Sequence, residues 1–165
     1  EIYAHRKVDK LISKMDRQVV FPNVDKVKNI GVIWQPTQKE AFQYLKSYFN
    51  REQVIFRGFC VFEKITNPHQ DSNTLTVKDL DFCGLPKKEK VDDFMSIRFE
   101  ILLNIALEEN LVLDYITGLS QARFKVGSSA KPKNYFDMNI NIGENTDPMY
   151  LAKQQIFYLA QLNKK

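Results

Sequence analysis

Residues 29–64 read NIGVIWQPTQKEAFQYLKSYFNREQVIFRGFCVFEK, and the succession of patterns in that stretch decides the fold class. Ile30 to Trp34 is a short apolar run rich in β-branched residues, the pattern of a strand covered on both faces. Pro36 removes a backbone donor and stops strand pairing, and Thr37 with Glu40 supplies a T-x-x-E capping box for a helix. Ala41, Phe42, Leu45 and Phe49 then recur at helical spacing, and Val54 to Lys64 returns to a strand. Strand, helix and strand in that order make a β-α-β unit, for which parallel pairing and a right-handed crossover are strongly preferred.

Upstream, Ile2, Val8, Leu11, Ile12 and Met15 recur at spacings of three and four between charged residues, as in an amphipathic helix. It either packs on the domain or projects as an arm. Downstream, Ile65 to Thr74 is a polar loop containing Pro68, and Leu75 to Gly84 reads as a third strand on the sheet edge, with Lys78 and Asp79 facing water. Residues 85–97 follow as a short helix with Val91, Phe94 and Met95 on its apolar face. Phe99 to Ala106 is the most apolar strand and is expected at the centre of the sheet. Leu111, Val112, Tyr115, Ile116 and Leu119 mark the next helix. Residues 122–127 and 135–143 read as the fifth and sixth strands. The segment between them is shorter than the dozen or so residues of a parallel crossover, so the sixth strand is expected to run antiparallel. Asp147 and Pro148 open a last helix, with Leu151, Ile156, Leu159 and Leu162 inward.

The alternation predicts an α/β, three-layer Rossmann-like sandwich, with a mostly parallel sheet of about six strands ordered 3-2-1-4-5-6 and an antiparallel last strand. Residues 1–28 form an N-terminal amphipathic helix and connector, and residues 29–165 a single α/β domain. A chain of 165 residues with 44% hydrophobic content supports one compact core. The net charge of +4 is spread among interspersed acids and bases, which disfavours a dedicated nucleic-acid binder. No apolar run reaches the roughly 18 residues of a membrane span, and the first residues lack a secretory h-region, so the expected location is cytoplasmic. Cys60 and Cys83 lack redox or zinc spacing and read as reduced core thiols. His5 and His69 stand beside no ligand-like cluster, so no histidine-rich metal centre and no cofactor is expected, and a carboxylate-only magnesium site stays open.

In an open sheet of this kind, ligands bind beyond the carboxyl ends of the strands where the order reverses. That places Trp34, Gln35, Pro36 and Thr37 after the first strand, Asn104, Leu107, Glu108 and Glu109 around the fourth, and Lys125, Gly127, Ser128 and Ser129 after the fifth. The ligand-binding candidates are therefore Gln35, Thr37, Asn104, Lys125, Gly127, Ser128 and Ser129. No Gly-rich phosphate loop follows the first strand, where a bulky Trp-Gln-Pro-Thr stands instead. Ser128 and Ser129 lack a nucleophile elbow, and no catalytic residue is assigned. Glu108, Glu109 and Asp114 are the remaining acid/base candidates, although carboxylates at a helix start usually reflect the helix dipole. Alternation along ARFKVG sets Arg123 and Lys125 opposite Phe124 and Val126. The cations then line an exposed face before an ordinary turn, or Lys125 stands beside a Gly-Ser-Ser anion nest.

The segments KNIGVIW, VKDLDFCGLP, RFEILLNIALEENLVLDYITGLSQARFKVG and YFDMNINI resemble a family of uncharacterised bacterial proteins, a domain of unknown function of similar length. The family pattern falls on Ile30, Gly31 and Val32, on Asp79, Leu80, Asp81, Phe82, Gly84 and Pro86, on Phe99 to Asn104, and on Ala122 to Gly127. This resemblance spans Asn29 to the C-terminus and implies no activity, cofactor or catalytic residue. A looser similarity is to the N-terminal half of heptosyltransferase-type glycosyltransferases, with Asn104 where that pattern has Asp. It implies fold kinship without transferase activity, because the second nucleotide-binding domain is missing.

These readings point to a non-catalytic or regulatory Rossmann-like module that binds a small anionic ligand or a protein partner. One alternative is an enzyme on sugar nucleotides or phosphorylated metabolites, using Lys125 and Ser128 for phosphate and Glu108 or Asp114 as base. Another is nucleic-acid or membrane-surface binding through the N-terminal helix.

Overall fold

The computed structural model describes residues 2–62 and 73–163. Most of the polar loop expected at 65–74, and His69 with it, lies outside the described residues. The helices are α1 (Ile2–Ser13), α2 (Lys39–Tyr48), α3 (Lys88–Ser96), α4 (Leu111–Leu119) and α5 (Pro148–Leu159). The strands are β1 (Asn29–Trp34), β2 (Ile55–Val61), β3 (Thr74–Leu75), β4 (Ile101–Asn104), β5 (Lys125–Gly127) and β6 (Met138–Asn139). They form a six-stranded sheet in the order β3-β2-β1-β4-β5-β6, the order expected by analogy with doubly wound folds. In register, Ile30 lies between Phe56 and Ile101, and Leu103 lies beside Val126.

The sheet divides the core into two apolar layers. Ile33, Phe59 and Leu102 point to one face, where they meet Val8 of α1, Phe94 of α3 and Ile116 of α4. Ile30, Val32, Ile101, Leu103 and Val126 point to the other, against Ala41 and Leu45 of α2 and Ala152 and Ile156 of α5. Alternating side chains of β1 and β4 thus feed both layers, which is why those strands are apolar throughout. Helix α1 does not project as an arm: Ala4 and Val8 are buried, and Ile12 packs over Gly118, where an added Cβ would sit 2.5 Å from Ile12 Cδ1. Asp147 caps α5 as its sequence suggests, accepting from the Met149 N–H at 3.0 Å.

Three expectations are corrected. The last strand is parallel, with Val126 paired to Met138 and Gly127 to Asn139. The dozen-residue rule assumes a helical crossover between strands of ordinary length. Here β5 and β6 are so short that an extended connection at about 3.3 Å per residue returns easily to the start of the next strand. The third strand is only Thr74–Leu75, because Asp79 Oδ2 accepts the Thr76 N–H at 2.9 Å and folds Val77–Asp79 into a 3-10 turn. The capping interaction before α2 joins Gln35 and Gln38 rather than Thr37 and Glu40: Pro36 opens a 3-10 turn over Pro36–Gln38, and Gln38 Oε1 accepts the Gln35 N–H at 3.0 Å.

Candidate functional site

The crevice where the strand order reverses is filled by amides. At the end of β4, Asn104 Nδ2 donates to Thr117 Oγ1 at 3.0 Å, and Asn104 Oδ1 accepts from the Ala106 N–H at 2.9 Å. The Asn104 carbonyl accepts from Gln155 Nε2 of α5 at 2.9 Å. Gln35, Gln38, Asn104, Thr117 and Gln155 are all buried, and Thr37 is exposed on the 3-10 turn. Gln35 Nε2 and Gln155 Oε1 have no hydrogen-bond partner among the described residues, a buried donor and a buried acceptor of the kind an internal water satisfies.

Two adjoining cavities lie on the α1 and α4 side of the sheet. Between α1, α4 and the β5–β6 connection is a cavity of about 410 Å³, lined by His5, Asp9, Glu109, Asp114, Lys131, Lys133 and Tyr135 among others. Helical geometry places His5 and Asp9 one turn apart on one face of α1. His5 Nε2 lies 3.2 Å from Asp114 Oδ2, and the Tyr135 hydroxyl donates to Asp9 Oδ1 at 2.8 Å. Glu109 Oε1 accepts a short hydrogen bond from Ser129 Oγ, and Asn139 holds the Ser129 backbone from the other side. Burial pushes the Asp114 carboxyl above its ordinary value, against the opposing effect of the His5 hydrogen bond. Burial and the Asp9 hydrogen bond push the Tyr135 phenol up. The Lys131 and Lys133 ammonium groups form no ion pair among the described residues, although Lys131 acts on Asp114 through space.

A second cavity of about 330 Å³ adjoins the first across Ile12, Asn134, Tyr135 and Phe136 and reaches Arg17, Lys125 and Asp137. Asp137 receives both terminal nitrogens of Arg17, at 2.8 and 2.9 Å, and the Lys125 backbone N–H at 2.8 Å. Lys125 does not lie on an exposed face: the residue is 2% exposed and its amine donates to the Gly118 carbonyl at 2.9 Å. Burial, reinforced by the Arg17 guanidinium and opposed by Asp137, lowers this amine to about 7. Alternation predicted its orientation correctly, since Phe124 and Val126 fill the opposite layer. What it missed is the cover that α1 and α4 lay over that face.

The chain belongs to a family of unknown function. The match, to the family described as "Family of unknown function (DUF6913)", covers residues 1–162. The match takes in α1 as well as the sheet, so every wall of both cavities falls within the matched segment. No curated protein and no solved structure matches the chain.

Of the residues expected to bind a ligand, the structure places Gln35 and Asn104 in the filled crevice and Lys125 beside the second cavity. Gly127 lies beneath the Phe136 ring, and Ser128 and Ser129 are half-buried beside it. Asp114 and Glu109 line the first cavity and Glu108 does not, although both glutamates are exposed. Asp9, Arg17, Lys131, Lys133, Tyr135 and Asp137 are not among the site residues expected from the sequence, and His5, read there as beside no ligand-like cluster, meets Asp114 in the fold. The four-residue spacing of His5 and Asp9 and the Lys-Pro-Lys at 131–133 are the local signals that mark them.

Proposed function

We propose that this protein is a Rossmann-like binding module for a small anionic ligand, held in the cavity between α1, α4 and residues 128–137. One observation carries this reading. Each acid facing that cavity is already engaged within the fold, Asp9 by Tyr135, Asp114 by His5 and Glu109 by Ser129. Lys131 and Lys133 on the same wall form no ion pair among the described residues. Hydrogen bonds from neutral hydroxyls occupy the Asp9 and Glu109 carboxylates without cancelling their charge, and Lys131 and Lys133 supply the cationic donors that an incoming anionic group would meet. Ammonium groups on a partly apolar wall suit a phosphate or carboxylate attached to a compact organic body.

The test is a thermal-shift screen of nucleotides, sugar nucleotides and phosphorylated metabolites on the wild type and on the Lys131→Ala, Lys133→Ala double variant. A ligand present at a hundred times its dissociation constant stabilises by about 2.7 kcal/mol. The expected result is a rise in Tm with at least one compound that disappears in the double variant. A rise that persists in the double variant, or none with any compound, overturns the reading.

A further inference from the structure

The second cavity holds a group that anion binding at Lys131 and Lys133 does not use. Lys125 is almost wholly buried in β5, a three-residue strand of the sheet, yet it lines open space. A charged ammonium carries three N–H donors, and the structure gives this one a single neutral acceptor, the Gly118 carbonyl. The nearest carboxylate is committed elsewhere, because Asp137 is occupied by Arg17 and by the Lys125 backbone N–H. The charged and titratable groups facing the amine are Arg17 from the segment after α1, and Asp137 and Tyr135 from the β5–β6 connection. From α4 it meets the Gly118 backbone. Desolvation beside a second cation is the setting that turns a lysine from a solvated charge into a neutral nucleophile.

We propose that Lys125 Nζ is an imine-forming nucleophile for a small aldehyde or ketone, bound in the cavity between Arg17, β5 and residues 134–137. The Nζ lone pair adds to the carbonyl carbon while the carbonyl π pair moves to oxygen, and a proton passes from nitrogen to that oxygen. The carbinolamine then loses its hydroxyl and the remaining nitrogen proton as water, leaving the C=N bond. Amine and carbonyl give imine and water, with no redox partner. Ile12, Met15 and Phe136 supply an apolar wall for the body of the substrate, and Asn134 a polar one.

A purely structural Lys125 would be a charged cap on the last turn of α4, and burial would make it among the least reactive lysines. The experiment uses the wild-type chain at pH 7 with limiting propanal and sodium cyanoborohydride, which reduces the imine to a stable secondary amine. Sites are mapped by mass spectrometry after Glu-C digestion. Lys125 is expected to alkylate at an initial rate at least about tenfold above exposed Lys131 and Lys133, because the neutral amine and not the ammonium adds to a carbonyl. The rate at Lys125 should fall in Arg17→Met, where the neighbouring charge is gone. Alkylation of the exposed lysines with Lys125 protected overturns the proposal. Labelling at Lys125 in the Lys131→Ala, Lys133→Ala variant is expected to be unchanged, so failure of the anion-binding reading leaves this result standing.

Discussion

The Lys125 N–H donates to Asp137 Oδ2 at 2.8 Å, and the Asp137 N–H donates back to the Lys125 carbonyl at 2.8 Å. The same carboxylate receives Arg17 in two hydrogen bonds. One side chain therefore joins β5, the entry to β6 and the segment that follows α1. Both partners of the ion pair are mostly shielded, with side chains 19% and 13% exposed. Removing one half strands the other in a low-dielectric setting, and Asp137→Ala is expected to lower stability by about 3–5 kcal/mol. Urea denaturation should show Arg17→Met and Asp137→Ala combining to less than the sum of their separate losses. Full additivity would mean that the pair does not pin the last strand.

Gly127 is the second device holding the β5–β6 connection. A Cβ there would collide with the Phe136 ring, which covers the strand in place of a crossover helix. Gly127→Ala should lower stability by about 1–3 kcal/mol through overpacking. In a Phe136→Leu background the same substitution should be less damaging, as measured by the shift in urea midpoint. An equal loss in both backgrounds would mean that the Phe136 ring is not what the added methyl meets.

These contacts explain why some of the molecule is legible in its sequence and some is not. Apolar runs such as Ile30–Trp34 and Phe99–Ala106 and the Asp147-Pro148 helix start encode themselves locally, and the strand order matches the one expected by analogy with doubly wound folds. The cavities are built from segments far apart in the chain: His5 meets Asp114 across 109 residues, Arg17 meets Asp137 across 120, and Asp9 meets Tyr135 across 126. No periodicity within a helix or strand says which distant face will cover it. Lys125 shows the limit most clearly, since β alternation fixes the direction of its side chain while α1, at the opposite end of the sequence, decides whether that direction is water or core.

The buried lysine gives the fold a pH dependence of known sign. Its folded value of about 7 lies below the ordinary 10.5. Between those values the unfolded chain binds more protons than the native one, so stability rises with pH across that window and levels off below it. The slope is at most about 1.4 kcal/mol per pH unit for one group. Lys125→Met removes the group, and the stability difference, wild type minus variant, should increase from pH 7 to 9.5. Stopping at 9.5 avoids ionisation of Tyr135, whose raised value subtracts stability at higher pH. A flat difference would mean that Lys125 stays charged in the folded protein.

Asp114 works in the opposite direction at the acid end. Burial raises its carboxyl above 3.8, and hydrogen bonding and charge from His5 hold that rise in check. As pH climbs through the interval between the unfolded and folded values, the unfolded chain loses its proton first. The contribution of Asp114 relative to Asp114→Asn therefore declines with rising pH across that interval. His5→Leu removes the lowering interaction and should move the Asp114 titration further upward, read directly from the carboxyl carbon shift by NMR. Without the imidazole the carboxylate also lacks its hydrogen-bond partner on α1, so the Asp114→Asn background should tolerate His5→Leu better than the wild type does. An Asp114 carboxyl titrating at its ordinary value would place that group in bulk water, and one below it would mean that His5 and Lys131 outweigh burial.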